Sequence, residues 1–291
     1  MRITQGIIQR NFLRNLDNIT DKINEKFQQI SSGKRIVKPS DDPVALSKVM
    51  RIKDELAIND QYKKNIDIAI GWLNMTETAF NSMEDVLKRL EEIAISMGSD
   101  NTSPEARKIA AEEVARIKEQ AIMIANTKFK GHYIFSGFLT DTAPFTEDDN
   151  DYHGDNNKIK IEAGESLKFA YNIPGSVFTE KVNIFKLMDD IKDALNNNDP
   201  EQIRASLDKI HEAFNHINIA HAGLGGEVKT LNDIKEELSD RELTLNDIIS
   251  KYEDADMANV IPKLYIYQSG YQALLHSFAK ITSVNLFSII G

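Results

Sequence analysis

Apolar residues fall at Met257, Val260, Leu264, Tyr267, Tyr271, Leu274, Phe278 and Ile281, in steps that alternate between three and four. That spacing draws a single stripe on a helix built to lie against another helix. A second apolar set flanks the stripe: Ile261, Ile266 and Leu275, then Leu286, Phe287, Ile289 and Ile290. A segment apolar on more than one face is not covered by one partner helix. At about 1.5–3 kcal/mol per fully buried large side chain, the remaining surface favours further cover. Near the other end, Ile8, Phe12, Leu16, Ile19, Ile23, Phe27 and Ile30 form a helical stripe over residues 3–30. Gln5, Gln9 and Lys26 are its polar interruptions, and basic residues occupy the opposite face. This helix also wants a partner.

Between the ends the same period predicts long helices. From Pro43 to about Gly98, Tyr62, Ile66, Ala69, Leu73, Thr76, Phe80, Met83, Leu87, Leu90, Ala94 and Met97 repeat without a slip. At about 1.5 Å per residue such a helix approaches 80 Å, which suggests a rod. Another helix opens at Thr102-Ser103-Pro104-Glu105, with proline in its first turn, and reads to about Lys130. Residues 131–183 change character. Ile159/Ile161/Ala163 and Leu167/Phe169/Tyr171/Ile173 alternate with period two, as strands of a small antiparallel sheet. So small an insert leans on its surroundings for stability. After a helix over 183–197, one further alternation runs from Ile203 to Tyr252. Gly223, Gly225 and Gly226 weaken its middle, but the phase is unchanged across them, which predicts one helix. The phase slips by one residue at Asp254-Ala255-Asp256.

Two joints follow from this pattern. Ser31-Ser32-Gly33 ends the first helix, and Lys38-Pro39-Ser40-Asp41-Asp42-Pro43 is a turn-rich connection whose acids can cap the helix beginning near Pro43. Asp254 and Asp256 mark the second joint. The predicted fold is mainly α, an elongated antiparallel helical bundle or coiled-coil rod with a small inserted antiparallel β domain. Its expected parts are 1–41 with 256–291, 42–137 with 182–255, and the insert 138–181.

Composition narrows the chemistry. The 291 residues include no cysteine, which excludes disulfides, thiolate metal sites and a thiol nucleophile. A net charge of −10 argues against nucleic acid as a partner. Charge is uneven: residues 1–38 hold eight basic and three acidic side chains, whereas 141–165 hold eight acids and two lysines. No run of 18 apolar residues exists, so no membrane insertion is expected. The N-terminal residues lack a continuous apolar stretch with a small-residue cleavage site, and no ordinary secretory signal is expected. The acidic tract 148–155 fails as a calcium loop, because a start at Asp149 places Lys160 where a bidentate glutamate is required. His211, His216 and His221 are spaced by five and cannot share a helix face as a zinc pair. They read as two surface histidines and one partly buried in a seam. Trp72 reads as packing. No phosphate loop, nucleophile elbow or dinucleotide fingerprint occurs. No catalytic residue, cofactor or metal is expected.

Residues 30–43, Ile-Ser-Ser-Gly-Lys-Arg-Ile-Val-Lys-Pro-Ser-Asp-Asp-Pro, resemble the N-terminal joint of bacterial flagellins and their relatives. Residues 252–258, Tyr-Glu-Asp-Ala-Asp-Met-Ala, resemble the joint where the family's C-terminal helix begins. Residues 131–145, with Tyr133-Ile134-Phe135-Ser136-Gly137, and the ending 283–287 are nearer the hook-associated branch than filament flagellin. The resemblance implies that the terminal helices pair and form the inner wall of an axial tube. It assigns Ile8, Phe12, Leu16, Ile19, Ile23 and Ile30, the stripe from Met257 to Ile281, and Leu286 and Phe287 to the assembly interface. Gly33, Pro39, Asp41, Asp42, Pro43, Asp254 and Asp256 become the domain joints. It further implies self-association in a ring or tube, contacts with a neighbouring hook-associated junction protein and with the flagellin filament, and an export chaperone. Location on the extracellular flagellum by type III export would suit a chain without cysteine. The alternative within the family is a short filament flagellin.

Overall fold

The computed structural model describes residues 5–290, with side chains placed between residues 6 and 280. Six helices account for most of the described chain: α1 (Gln5–Ser32), α2 (Pro43–Met97), α3 (Pro104–Ala125), α4 (Ile184–Asn196), α5 (Pro200–Glu253) and α6 (Met257–Ile290). Two antiparallel hairpins lie between α3 and α4: β1 (Lys128–Phe129) with β2 (His132–Tyr133), and β3 (Lys160–Gly164) with β4 (Leu167–Ala170). The chain packs as two units, residues 1–58 with 240–291 and residues 59–239.

The helix starts have identifiable caps. Asp42 Oδ1 accepts from the Ala45 amide at 3.0 Å, Ser103 Oγ from Ala106 at 3.2 Å, and Asn183 Oδ1 from Lys186 at 3.0 Å. Asp199 accepts from Glu201 and Gln202, and Asp256 from Ala258. Each satisfies an amide that the first helical turn leaves without a partner. α5 passes through Gly223, Gly225 and Gly226 without interruption, and the phase slip coincides with the gap between α5 and α6.

In the unit of residues 59–239, α2 and α5 run antiparallel, because residues rising along one pair with residues falling along the other. Asn59 Nδ2 donates to the Leu238 carbonyl at 2.8 Å, Lys235 meets Asp67 at 2.5 Å, His221 meets Glu84 at 2.8 Å, and His211 meets Glu91 at 2.7 Å. Ile66, Leu73, Phe80, Met83, Leu87 and Leu90 from α2 and Ile203, Ile210, Ile217 and Leu231 from α5 are fully buried between them. The region between α3 and α4 does lean on this core. Phe135 stacks on Phe80 with ring centres 5.9 Å apart, and Phe178 meets both rings edge-on. Trp72 is buried between Phe129 and Tyr171.

Three details differ from the sequence reading. α3 ends at Ala125, not near Lys130, because Asn126 leaves the helix and exchanges hydrogen bonds with the Phe145 backbone at 2.8 and 3.1 Å. The first hairpin, turning through Lys130 and Gly131 at positive φ, was not expected. His216 is half-buried, with Nε2 enclosed and unpartnered, so of the three α5 histidines only His211 is exposed.

Candidate assembly site: the terminal helix pair and its joint

In the unit of residues 1–58 and 240–291, α1 and α6 pack antiparallel. Phe12 stacks on Phe278 at 3.9 Å between ring centres, and further along the pair Lys22 lies over the Tyr267 ring at 5.5 Å. Every described stripe residue except Phe27 is wholly or partly buried: Ile8, Phe12, Leu16, Ile19, Ile23 and Ile30 on α1, and Met257, Val260, Leu264, Tyr267, Tyr271, Leu274 and Phe278 on α6. The side chains of Ile281, Leu286 and Phe287 lie outside the described residues. The stripes cover one another only in part, since among these residues Val260 alone is fully buried. Flanking positions stay in water. Ile266 and Tyr265 are each 66% exposed and Phe27 63% exposed, while Ile7, Leu13, Ile261 and Leu275 are also exposed. Two helices therefore leave large apolar side chains uncovered after satisfying one seam.

The two joints meet in one clasp. Gly33 adopts φ of +73°, a left-handed conformation that glycine enters without a side-chain penalty, and its amide returns to the Gln29 carbonyl at 3.0 Å. The segment that follows bridges to the segment between α5 and α6. The Arg35 amide donates to the Glu253 carbonyl at 2.7 Å, and the Ala255 amide to the Gly33 carbonyl at 2.9 Å, with Lys34 opposite Asp254. Ile36 is buried beneath.

Side chains lock this crossing. Glu253 is buried, and its carboxylate takes Lys34 Nζ at 2.7 Å and Lys53 Nζ at 2.9 Å. Burial pushes the Glu253 carboxyl up, yet the hydrogen bonds from Lys34 and Lys53 outweigh it and hold the group below its ordinary range. The same contact raises Lys34. Arg35 bridges the Tyr252 carbonyl at 2.8 Å and Asp42 at 3.2 Å. Asp41 accepts from the amides of Lys38 and Val37 at 2.8 and 3.0 Å, which lowers its carboxyl and fixes the turn around Pro39. Gly33, Asp41, Asp42 and Asp254 are thus brought together, and Pro43 and Asp256 start α2 and α6 beside them. Sequence reasoning missed Glu253 and Lys53 as the clasp's charge centre, because the partners are 219 and 200 residues apart.

Among the described residues no cluster of metal-binding side chains occurs, and no helix is long and apolar enough to cross a membrane. The arrangement offers a surface and a locked clasp.

A terminal helix pair that leaves large apolar side chains exposed beside its seam is suited to contact with other chains. Residues 3–140 match the bacterial flagellin N-terminal helical region, so this part of the chain is flagellin-like. Over nearly its whole length it is similar to flagellar hook-associated protein 3 of Escherichia coli, at 26% identity covering 98% of each chain. The protein of the same name from Salmonella typhimurium is 25% identical over 99% of each chain. A solved structure described as the flagellar junction protein of Legionella pneumophila matches with a TM-score of 0.59, covering 71% of this chain and all of that one. At 17% identity, that likeness concerns the fold.

Proposed function

We propose that this chain is a structural adaptor that joins the flagellar hook to the filament, assembling through α1 and α6 and carrying no enzymatic activity. The observation that supports it most is the half-satisfied terminal pair: a seam closed within one chain beside a row of exposed Ile7, Leu13, Phe27, Ile261, Tyr265, Ile266 and Leu275. In this reading residues 1–41 with 256–291 are the assembling part, and 42–137 with 182–255 form the rod that carries the insert 138–181. The partners are further copies of the chain, a neighbouring hook-associated junction protein and the first flagellin subunits, with a chaperone holding the apolar ends before export. The working location is the extracellular flagellum. Burial of the exposed row on assembly supplies the driving force, so ordering and binding are coupled.

The relatives that carry the hook-associated name match 98% and 99% of the chain at 26% and 25% identity, against 92% and 94% at 23% and 22% for flagellins of Listeria monocytogenes and Bacillus subtilis, which favours a junction subunit over a filament flagellin. Deleting the chain's gene tests the choice. A junction subunit's loss leaves hooks intact while flagellin monomers are shed into the medium. A filament subunit's loss leaves nothing to shed, and that result would sink the adaptor reading.

A further inference from the structure

The face of α1 turned away from α6 carries a charge pattern that the helix pair does not use. Arg10, Arg14, Asp17 and Asp21 follow one another at steps of four, three and four, which places them on one line along the helix, opposite the stripe of Phe12, Leu16 and Ile19. All four are exposed. None has an ion-pair partner among the described residues: Arg10 donates to the Gly6 carbonyl and Arg14 to Asn11, and neither aspartate meets a cation. The line is segregated, with its positive half toward the N-terminus and its negative half toward the C-terminus. Exposed apolar side chains flank the positive half, Ile7 and Leu13 on either side of the arginines.

The line complements itself at one shift. Arg10 and Asp17 are seven residues apart, and so are Arg14 and Asp21. Seven residues are about two helical turns, so a parallel copy displaced by about 10 Å along the axis brings both arginines opposite both aspartates without rotation. An antiparallel copy also pairs them, but as Arg10 with Asp21 and Arg14 with Asp17. That contact is two-fold and closes after one partner, whereas the displaced parallel contact is head-to-tail and can continue around a ring or along a tube.

We propose that the occupant of this face is α1 of a second copy of the chain, parallel and displaced by seven residues, with Arg10 on Asp17 and Arg14 on Asp21. The inference rests on the assembling role proposed above and specifies its register. Exposed ion pairs contribute little net affinity. Their part is to reject wrong registers, while Ile7 and Leu13 supply the apolar burial.

The absence of cysteine makes the test clean. Arg14→Cys and Asp21→Cys copies are expressed together in cells lacking the native gene, and isolated flagella are oxidised. Within one helix the two positions are about 10 Å apart, too far for a disulfide, so any crosslink joins two copies. We expect R14C to crosslink with D21C, and the chain bearing both substitutions to give a ladder. The pair R10C with D21C should give at least tenfold less product. Preferential R10C–D21C crosslinking, a double variant that stops at dimers, or no crosslink while the cysteine chains are retained on flagella would each overturn the register. Retention of the wild-type chain on isolated flagella reads the adaptor role separately, and its absence there would count against that role alone. A second arm uses charge: R10E/R14E and D17R/D21R chains should each be retained at least tenfold less than wild type, and co-expression should restore retention. Retention of either variant at the wild-type level would overturn the proposal.

Discussion

Lys34 Nζ lies 2.7 Å from Glu253 Oε1, although the two residues are 219 positions apart in the chain. Both partners are shifted toward their charged forms, so the contact has a pH window. Glu253 has a lowered carboxyl, and its contribution is complete above the ordinary value of 4.5 and is lost as pH falls through the lower folded value. Lys34 is raised above 10.5, so its contribution is present below that value and disappears as pH climbs past the folded one. Protection of the Arg35 and Ala255 amides, taken relative to the intrinsic exchange rate at each pH, should therefore be greatest between these limits and fall below about pH 4. At neutral pH, Glu253→Gln should lower protection of the same amides by about 1–3 kcal/mol. Unchanged exchange in that variant would show that the backbone bonds alone hold the clasp.

Gly33→Ala should destabilise the clasp by about 1 kcal/mol. A Cβ there meets no neighbouring atom within 4 Å, so the cost comes from φ of +73° and not from collision. Thermal unfolding of G33A, read by far-ultraviolet circular dichroism, should show the loss, and G33V should lose more because a branched residue tolerates that φ less well. Equal stability of all three chains would mean that the turn relaxes freely.

Leu274→Asp places a charge in the half-buried seam facing α1. Incorporation into flagella should be blocked, while the unit of residues 59–239 keeps its stability because no part of α6 belongs to it. Trp72, the chain's single tryptophan, lies inside that unit and reports on it by fluorescence. An L274D chain retained on flagella like wild type would remove the seam from the assembly interface.

Phe80→Ala removes a fully buried ring that touches Phe135 and Phe178. A loss of about 3–5 kcal/mol is expected in the denaturant midpoint followed by Trp72. A loss below about 1 kcal/mol would mean that the insert's rings refill the space.

Much of this architecture was legible because heptad-like spacing is written locally. The three-four steps located α1, α2, α5 and α6, and their unbroken phase carried α5 through three glycines that composition alone would have made a loop. A one-residue slip marked the boundary between α5 and α6. Period two found β3 and β4, but β1 and β2 are two residues each and have no period to detect. α3 overran for a related reason: its end is set by Asn126 bonding to Phe145, a partner from beyond the helix. The clasp was half readable. Its turn residues Gly33, Asp41 and Asp42 announce themselves by type, whereas Lys34, Lys53 and Glu253 look like ordinary surface charges until the fold sets them side by side. The charge line on α1 is the opposite case, since its seven-residue offset is plain in the sequence once the buried side of the helix is known.

The crossing at Gly33 and Glu253 also has a mechanical meaning. The chain leaves α1 and approaches α6 as two neighbouring strands joined by backbone bonds and by the Lys34–Glu253 contact. Tension on the terminal pair is therefore shared by two covalent strands at the same level. The cross-links between them are loaded together, and a tug on one end of the polypeptide is felt at once by the other.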